Sequence, residues 1–327
     1  MKRIVSIAAA LLLCASIFSL PTTRAQNPRF TTIDFPGAAF TVANEVNENG
    51  DIVGVYRMAT STGGLSQPRG FLLNNGQFTT VHKSGAAFTR AYGINNAGDI
   101  VGDYSLGGVL YGFLLRAGST EFQTIQYTDG AFASTNTDAW GIDDQGQITG
   151  GFVRQGIRRA YVWHDGVFTR VLEAPFSNHS IRAYTHGVNS RGEVVGCYWR
   201  NDDGEITMHS LRVTPEGDYL TENFPDSMGM SMHWRITESS LIVGHYDDMD
   251  GVGHGYLYKN GEYEAIDFPD AIRTEAHGIA EMQLFNRAGQ PLGARQLLIV
   301  GPYVDSNGVT HGYLFTRQIG VGQGEVR

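Results

Sequence analysis

The chain has 327 residues, 42% hydrophobic and 17% charged, with a formal net charge of −9 and two cysteines. An acidic surface repels phosphate backbones, which argues against nucleic acid and anionic membranes as partners. Two cysteines cannot make a disulfide framework, so stability must come from buried apolar surface, which this length can supply as two small domains or one large repeat array.

At the N-terminus, Lys2 and Arg3 precede an apolar stretch at residues 4–20 that ends at Pro21, and Thr23-Arg24-Ala25 offers a small-residue cleavage site. This is the pattern of a secretory signal over residues 1–25. As a membrane anchor the stretch is short, and Ser6, Ser16 and Ser19 interrupt it. Leu13 stands where a lipoprotein signal needs a small residue, which argues against a lipid on Cys14. The expectation is a secreted or periplasmic monomer with no membrane insertion after cleavage. Losing Lys2, Arg3 and Arg24 deepens the net charge to −12, and Cys197 is then the sole cysteine, so no intrachain disulfide forms.

Along the rest of the chain one phrase recurs. Asp51-Ile-Val-Gly-Val-Tyr56 is echoed by Asp99-Ile-Val-Gly-Asp-Tyr104, and its glycine falls at Gly54, Gly102, Gly150, Gly196, Gly244 and Gly301, at intervals of 48, 48, 46, 48 and 57. An aromatic follows each glycine by two: Tyr56, Tyr104, Phe152, Tyr198, Tyr246 and Tyr303. A second phrase follows, as Gly70-Phe71-Leu72, Gly112-Phe113-Leu114, Gly255-Tyr256-Leu257 and Gly312-Tyr313-Leu314, with looser copies at Ala160-Tyr161-Val162 and Ser210-Leu211-Arg212. A third opens with Phe30, Phe78, Phe122, Phe168, Tyr219 or Tyr263, and a fourth precedes the first, as Tyr92-Gly-Ile-Asn95 and Trp140-Gly-Ile-Asp143.

These runs are short, rich in Ile, Val, Phe, Tyr and Thr, and bounded by Gly, Asn and Asp clusters, so they read as strands. Asn47-Glu-Asn-Gly50 and Asn95-Asn-Ala-Gly98 suit tight turns closing through a left-handed glycine, which makes the runs antiparallel hairpins. Four antiparallel strands per repeat predict an all-β, six-bladed β-propeller rather than a solenoid of shorter coils. The last repeat lacks a fourth strand and the mature chain opens with an orphan one at residues 30–34, so the N-terminal strand is expected to close the last blade. The propeller is placed at residues 26–317, followed by a polar tail at 318–327.

Gly93-Ile-Asn-Asn-Ala-Gly-Asp-Ile-Val-Gly102 and His311-Gly-Tyr-Leu314 resemble the bacterial extracellular repeats of the HAF family, over nearly the whole mature chain. The chain departs from the family's His-Ala-Phe triplet by carrying glycine in the middle, and Arg69, Tyr111 or Arg159 replaces the histidine in several repeats. The resemblance implies export and a repeat fold, and it brings no catalytic residues to transfer.

The turns joining first to second and third to fourth strands are short and alike, apart from one lengthened at residues 280–296; the loops of the opposite face vary in length. Binding residues concentrate on variable loops held by a rigid scaffold, which places a site on that face. One position at the head of each innermost strand is expected to ring the channel mouth: Asn44, Tyr92, Trp140, His186, Trp234 and His277. The five aromatic or imidazole members, Tyr92, Trp140, His186, Trp234 and His277, are either a ligand platform or rings wedged between blades as core.

Asp248-Met-Asp-Gly251 and Asp305-Ser-Asn-Gly308 lack the ligands of a full calcium loop and read as turns. His179, His186, His233 and His277 lack the paired spacing of a zinc site, and Cys197 reads as a small buried hydrophobe. No cofactor or metal is expected. Two functions stay open: a non-catalytic binding module for a glycan, a small molecule or an extracellular protein, and a propeller hydrolase or lyase acting on a saccharide or lactone through Glu45, Asp138, His186, Glu275 and His277.

Overall fold

A computed structural model describes residues 29–172, 180–225 and 227–320. The stretch at 1–25 expected to be an export signal, and the end of the polar tail, at 321–327, lie outside the described residues. Among the described residues, no helix is long and apolar enough to cross a membrane.

Six antiparallel sheets form the ring of a six-bladed β-propeller. The first blade runs outward from Phe40–Val46 through Ile52–Arg57 and Arg69–Asn74 to Gln77–Val81, and the next four repeat this order. In the sixth, Arg273–Thr274 and Gly278–Phe285 lie innermost, followed by Pro291–Val304 and Thr310–Gly320, and the outermost strand is Arg29–Ile33. That strand pairs antiparallel with the third, Phe30 opposite Phe315 and Ile33 opposite Gly312. The ring therefore closes on the N-terminal strand. Thr310–Gly320 carries the propeller past the expected boundary at 317, because the segment at 280–296 extends the blade as paired strands rather than as a loop.

The recurrent glycine of the second strand answers to a close approach. A Cβ on Gly54, Gly102, Gly150, Gly196, Gly244 or Gly301 would collide with a carbonyl oxygen of the innermost strand. In three blades the room is used by a tyrosine of the third strand, which passes beneath the glycine and donates to that carbonyl: Tyr161 to Asp138 (2.6 Å), Tyr256 to Met232 (2.9 Å) and Tyr313 to Glu275 (3.0 Å).

The recurrent aromatic is the middle of a stack. Phe35, Phe224 and Phe268 lie parallel to Tyr56, Tyr246 and Tyr303 at 3.6, 3.6 and 3.7 Å. His254 and His311 cover the other face of Tyr246 and Tyr303, at 5.2 and 5.1 Å. In the second blade Lys83 and Tyr111 flank Tyr104, whose hydroxyl bonds Thr124 (2.7 Å). Filled on both faces, the position tolerates only a flat ring.

Neighbouring blades are also stitched across the short-turn face. Asn47 Nδ2 donates to Asn95 O (3.0 Å), Asn95 Nδ2 to Asp143 O (3.2 Å) and Asn189 Nδ2 to Thr237 O (3.2 Å). Asp143 carries a carboxylate and cannot pass the stitch from the third blade to the fourth.

Deleting residues 26–35 strips the outermost strand from the sixth blade and bares the edge at Gly312 to Phe315. Thermal unfolding should show a much lower midpoint or aggregation; equal midpoints would contradict closure by this strand. Tyr104, 3% exposed, should cost about 2–4 kcal/mol as Tyr104→Ala through the cavity left in its stack, read by urea denaturation.

Candidate binding site

Each innermost strand is irregular near the end that meets the short turns. The pairing slips at Asn44, Tyr92, Trp140, His186 and Trp234, and His277 sits in the matching break between Arg273–Thr274 and Gly278–Phe285. Such bulges re-aim side chains. The residues that follow are Glu45, Gly93, Gly141, Gly187, Arg235 and Gly278. A Cβ on Gly93, Gly141 or Gly278 would press on Trp140 O, His186 O or the Glu45 backbone, so the strands converge too closely for six side chains.

Arg235 takes the remaining space. Its Nε bonds the Glu45 carboxylate. One terminal nitrogen donates to the carbonyls of His186 (2.6 Å) and Trp234 (3.0 Å), the other to those of Tyr92 (2.6 Å) and Trp140 (2.7 Å). All five guanidinium protons are used. The other Glu45 oxygen accepts the backbone N–H of Ile279 (3.2 Å), so the pair joins all six blades. Burial pushes the Glu45 carboxyl up to about 7 against the opposing pull of Arg235.

The residues expected at the channel mouth form a plug directly above this pair. Tyr92 stacks on Trp140 (3.8 Å), Trp140 meets His186 edge-on (5.1 Å), His186 packs on Trp234 (4.5 Å) and Trp234 on His277 (4.2 Å). His277 reaches Asn44 (3.3 Å), and Trp140 and Trp234 approach each other at 5.6 Å. The structure thus brings all of these residues together in one cluster, and Trp234 also packs against the core shared by the fourth and fifth blades. Asn44, Tyr92, His186 and His277 are buried, whereas Trp140 and Trp234 are half-buried. Trp140 Nε1 is a buried donor with no acceptor among the described residues. Burial, reinforced by Arg235, holds the His186 imidazole well below its usual range and so neutral. The plug lies deeper than expected because the innermost strands begin at Phe40 and Phe88, so the recurring phrase marks their far half.

Toward the variable loops stands a wall that the repeat phrases did not reveal. Arg90 makes a two-pronged bond to Asp103 (2.8 and 2.5 Å). Arg158 pairs with Asp138 and lies 4.5 Å over the Tyr184 ring, and Arg182 lies 4.4 Å over Trp199. Glu275 accepts from His277 (2.8 Å) and Arg273 (2.8 Å), with His245 at 3.7 Å. Burial raises the Asp103 carboxyl to about 6 despite Arg90. Burial also works against the charge on Glu275, but His245, His277 and Arg273 together outweigh it and hold that carboxyl well below the usual range. The signal for this wall was spacing: Arg90, Asp138, Tyr184 and Glu275 each stand two residues before a ring position.

Of the five acids and bases considered for catalysis, only Glu275 and His277 touch. Glu45 is bound on the axis below the plug, Asp138 is tied to Arg158 and the Gly151 N–H (2.8 Å), and His186 is enclosed. His179 lies outside the described residues; among those described, no group of His, Cys, Asp and Glu is placed to hold a metal ion. Asp248 and Asp305 cap their own turns, at Asp250 and Val252 and at Asn307 and Val309. Cys197 is enclosed, and burial pushes its thiol up to about 12.

The opposite face opens as a funnel over Arg235, rimmed by Glu48, Asp144, Glu238 and Glu281. Three of these carboxylates are engaged with the turns: Asp144 accepts from the Asn96 N–H (2.8 Å), Glu238 from the Ser190 N–H (2.9 Å) and Glu281 from the Ser239 hydroxyl.

No family model matches the chain, and no curated protein matches it in sequence. Similar solved structures include a neuraminidase-like protein from A/bat/Guatemala/164/2009, at 9% identity and a TM-score of 0.52, covering 90% of this chain and 94% of that one. Others are a putative gluconolactonase, at 12% identity and 0.51 over 89% and 92%, and the β-propeller domain of the Trilobed protease from Pyrococcus furiosus, at 11% and 0.49 over 89% and 97%. At such identities the likeness shows the fold alone.

Arg235→Met should remove the axial hydrogen bonds and strand the Glu45 carboxylate. Because the folded Glu45 holds its proton to higher pH than an unfolded glutamate, its ionisation opposes folding as pH rises from about 4.5 toward 7. Without Arg235 that penalty grows and extends to higher pH. Urea unfolding of the variant should lose about 3–5 kcal/mol at pH 8 and less at pH 5; an equal loss at both would show that the carboxylate is not stranded.

Proposed function

We propose that this chain is an exported binding module of the HAF type, secreted or periplasmic and monomeric, whose ligand rests on Trp140 and Trp234 on the variable-loop side of the plug. The observation that carries this reading is the pair of half-buried indoles 5.6 Å apart at the bottom of a wall of charged and aromatic side chains. Such a floor offers flat apolar surface and the wall offers directional polar groups, the combination that holds a sugar or an aromatic ring. The same face also carries most of the exposed large apolar side chains, among them Leu106, Ile157, Ile206, Met228, Met249 and Val309.

The hydrolase or lyase reading is supported less well. It would rest on Glu275 and His277, and a carboxyl held well below its usual range is a poor general acid. Export is supported by the pattern of residues 1–25, and the HAF assignment by His311-Gly-Tyr-Leu314, whose histidine covers Tyr303.

Three of the chain's four tryptophans, Trp140, Trp199 and Trp234, border this site, so tryptophan emission reports on it directly. A glycan array with the purified protein should identify a ligand that quenches or shifts the emission. Trp140→Ala and Trp234→Ala should then abolish that binding in protein that remains folded by circular dichroism. Unchanged affinity in both folded variants would assign the ring to the core alone.

A further inference from the structure

Each channel-side arginine but one is committed to a carboxylate. Arg90 is held by Asp103, Arg158 by Asp138, Arg273 by Glu275 and Asp247, and Arg235 by Glu45. Arg182 has no acidic partner among the described residues. It lies in Ser180–Val188, where the pairing is regular from Arg182 opposite Trp199 to Thr185 opposite Gly196. Arg182 and Tyr184 therefore share a face of the strand. Its guanidinium lies 4.4 Å over the half-buried Trp199 ring, and its Nε is buried without an acceptor. Contact with the ring restricts the side chain in advance, which lowers the entropy lost when an anion binds.

Trp199 beneath it, Tyr184 on the same strand face and Trp234, all half-buried, pack against one core cluster of Cys197, Met208 and Met232. Resting on the site proposed above, we infer that the ligand is a saccharide bearing one carboxylate, with sugar faces on these rings and the carboxylate on Arg182. The charge balance favours a carboxylate over a phosphate. One uncommitted guanidinium matches one planar monoanion, whereas a dianion would also face Asp103, Asp138 and Glu275, and among the described residues the other channel-side arginines are already held by carboxylates.

The test titrates the purified protein with a neutral oligosaccharide ending in a single galacturonate, with the methyl ester of that galacturonate and with dextran sulfate, following tryptophan emission and heat. The acid should bind about 10- to 100-fold more tightly than the ester, as expected for a charge-assisted pair. Arg182→Gln should erase that difference while leaving the thermal midpoint close to the parent's, since the side chain is partly exposed and pairs with no acid. Equal binding of acid and ester, an acid preference that survives in Arg182→Gln, or tighter binding of dextran sulfate would overturn the inference. If neither galacturonate binds while a neutral glycan quenches the emission and depends on Trp140 and Trp234, this inference fails and the site stands. If no glycan does so, both fail.

Discussion

One guanidinium on the axis reconciles six strands that cannot otherwise meet. Where the innermost strands converge, their bulges point backbone carbonyls at the channel, and buried carbonyls without donors are costly. Arg235 supplies donors to four of them, and Glu45 neutralises its charge while accepting from the sixth blade. The arrangement works only because four of the six equivalent positions are glycine. A buried ion pair is weak grounds for stability in general, but here it is hydrogen-bonded throughout and sits where an apolar filler would leave carbonyls unpaired.

The axis also sets the blade count. With fewer strands around it the channel would close on the guanidinium, and with more the carbonyls would recede beyond hydrogen-bond reach. Adding or losing one repeat is tolerated in an open solenoid, whose units meet only their neighbours. In this ring every blade contributes to one shared contact, so the number of repeats is part of the structure's chemistry.

The sequence made legible what recurs. Six glycines and six aromatics at near-constant spacing located the blades, and the unmatched strand at residues 30–34 told how the ring closes. What does not recur was hidden by the same method. Arg235 and Glu45 occupy a position that is otherwise glycine, so comparison of repeats treats them as noise although they are the signal. The wall of Arg90, Asp138, Tyr184 and Glu275 was obscured for a related reason: its residues share a place in the fold and no common side chain. The ring of Tyr92, Trp140, His186, Trp234 and His277 was recognised as a set but set too near the surface, because the first half of each innermost strand varies between blades and did not announce itself as strand.

The stitches on the short-turn face run Asn47 to Asn95 to Asp143 and then stop, since a carboxylate has no proton to hand on. They resume at Asn189. At the junction between the third and fourth blades the link is made elsewhere, by the Thr185 hydroxyl donating to Gly150 O (2.9 Å). On the other face the same junction is spanned by Arg158 over Tyr184, two residues from Arg182. A ligand seated there, as proposed, would touch both blades at once, and its occupancy would add to a junction already held by the Thr185 hydrogen bond and by the shared core of Ala160, Val162, Ala183 and Val188.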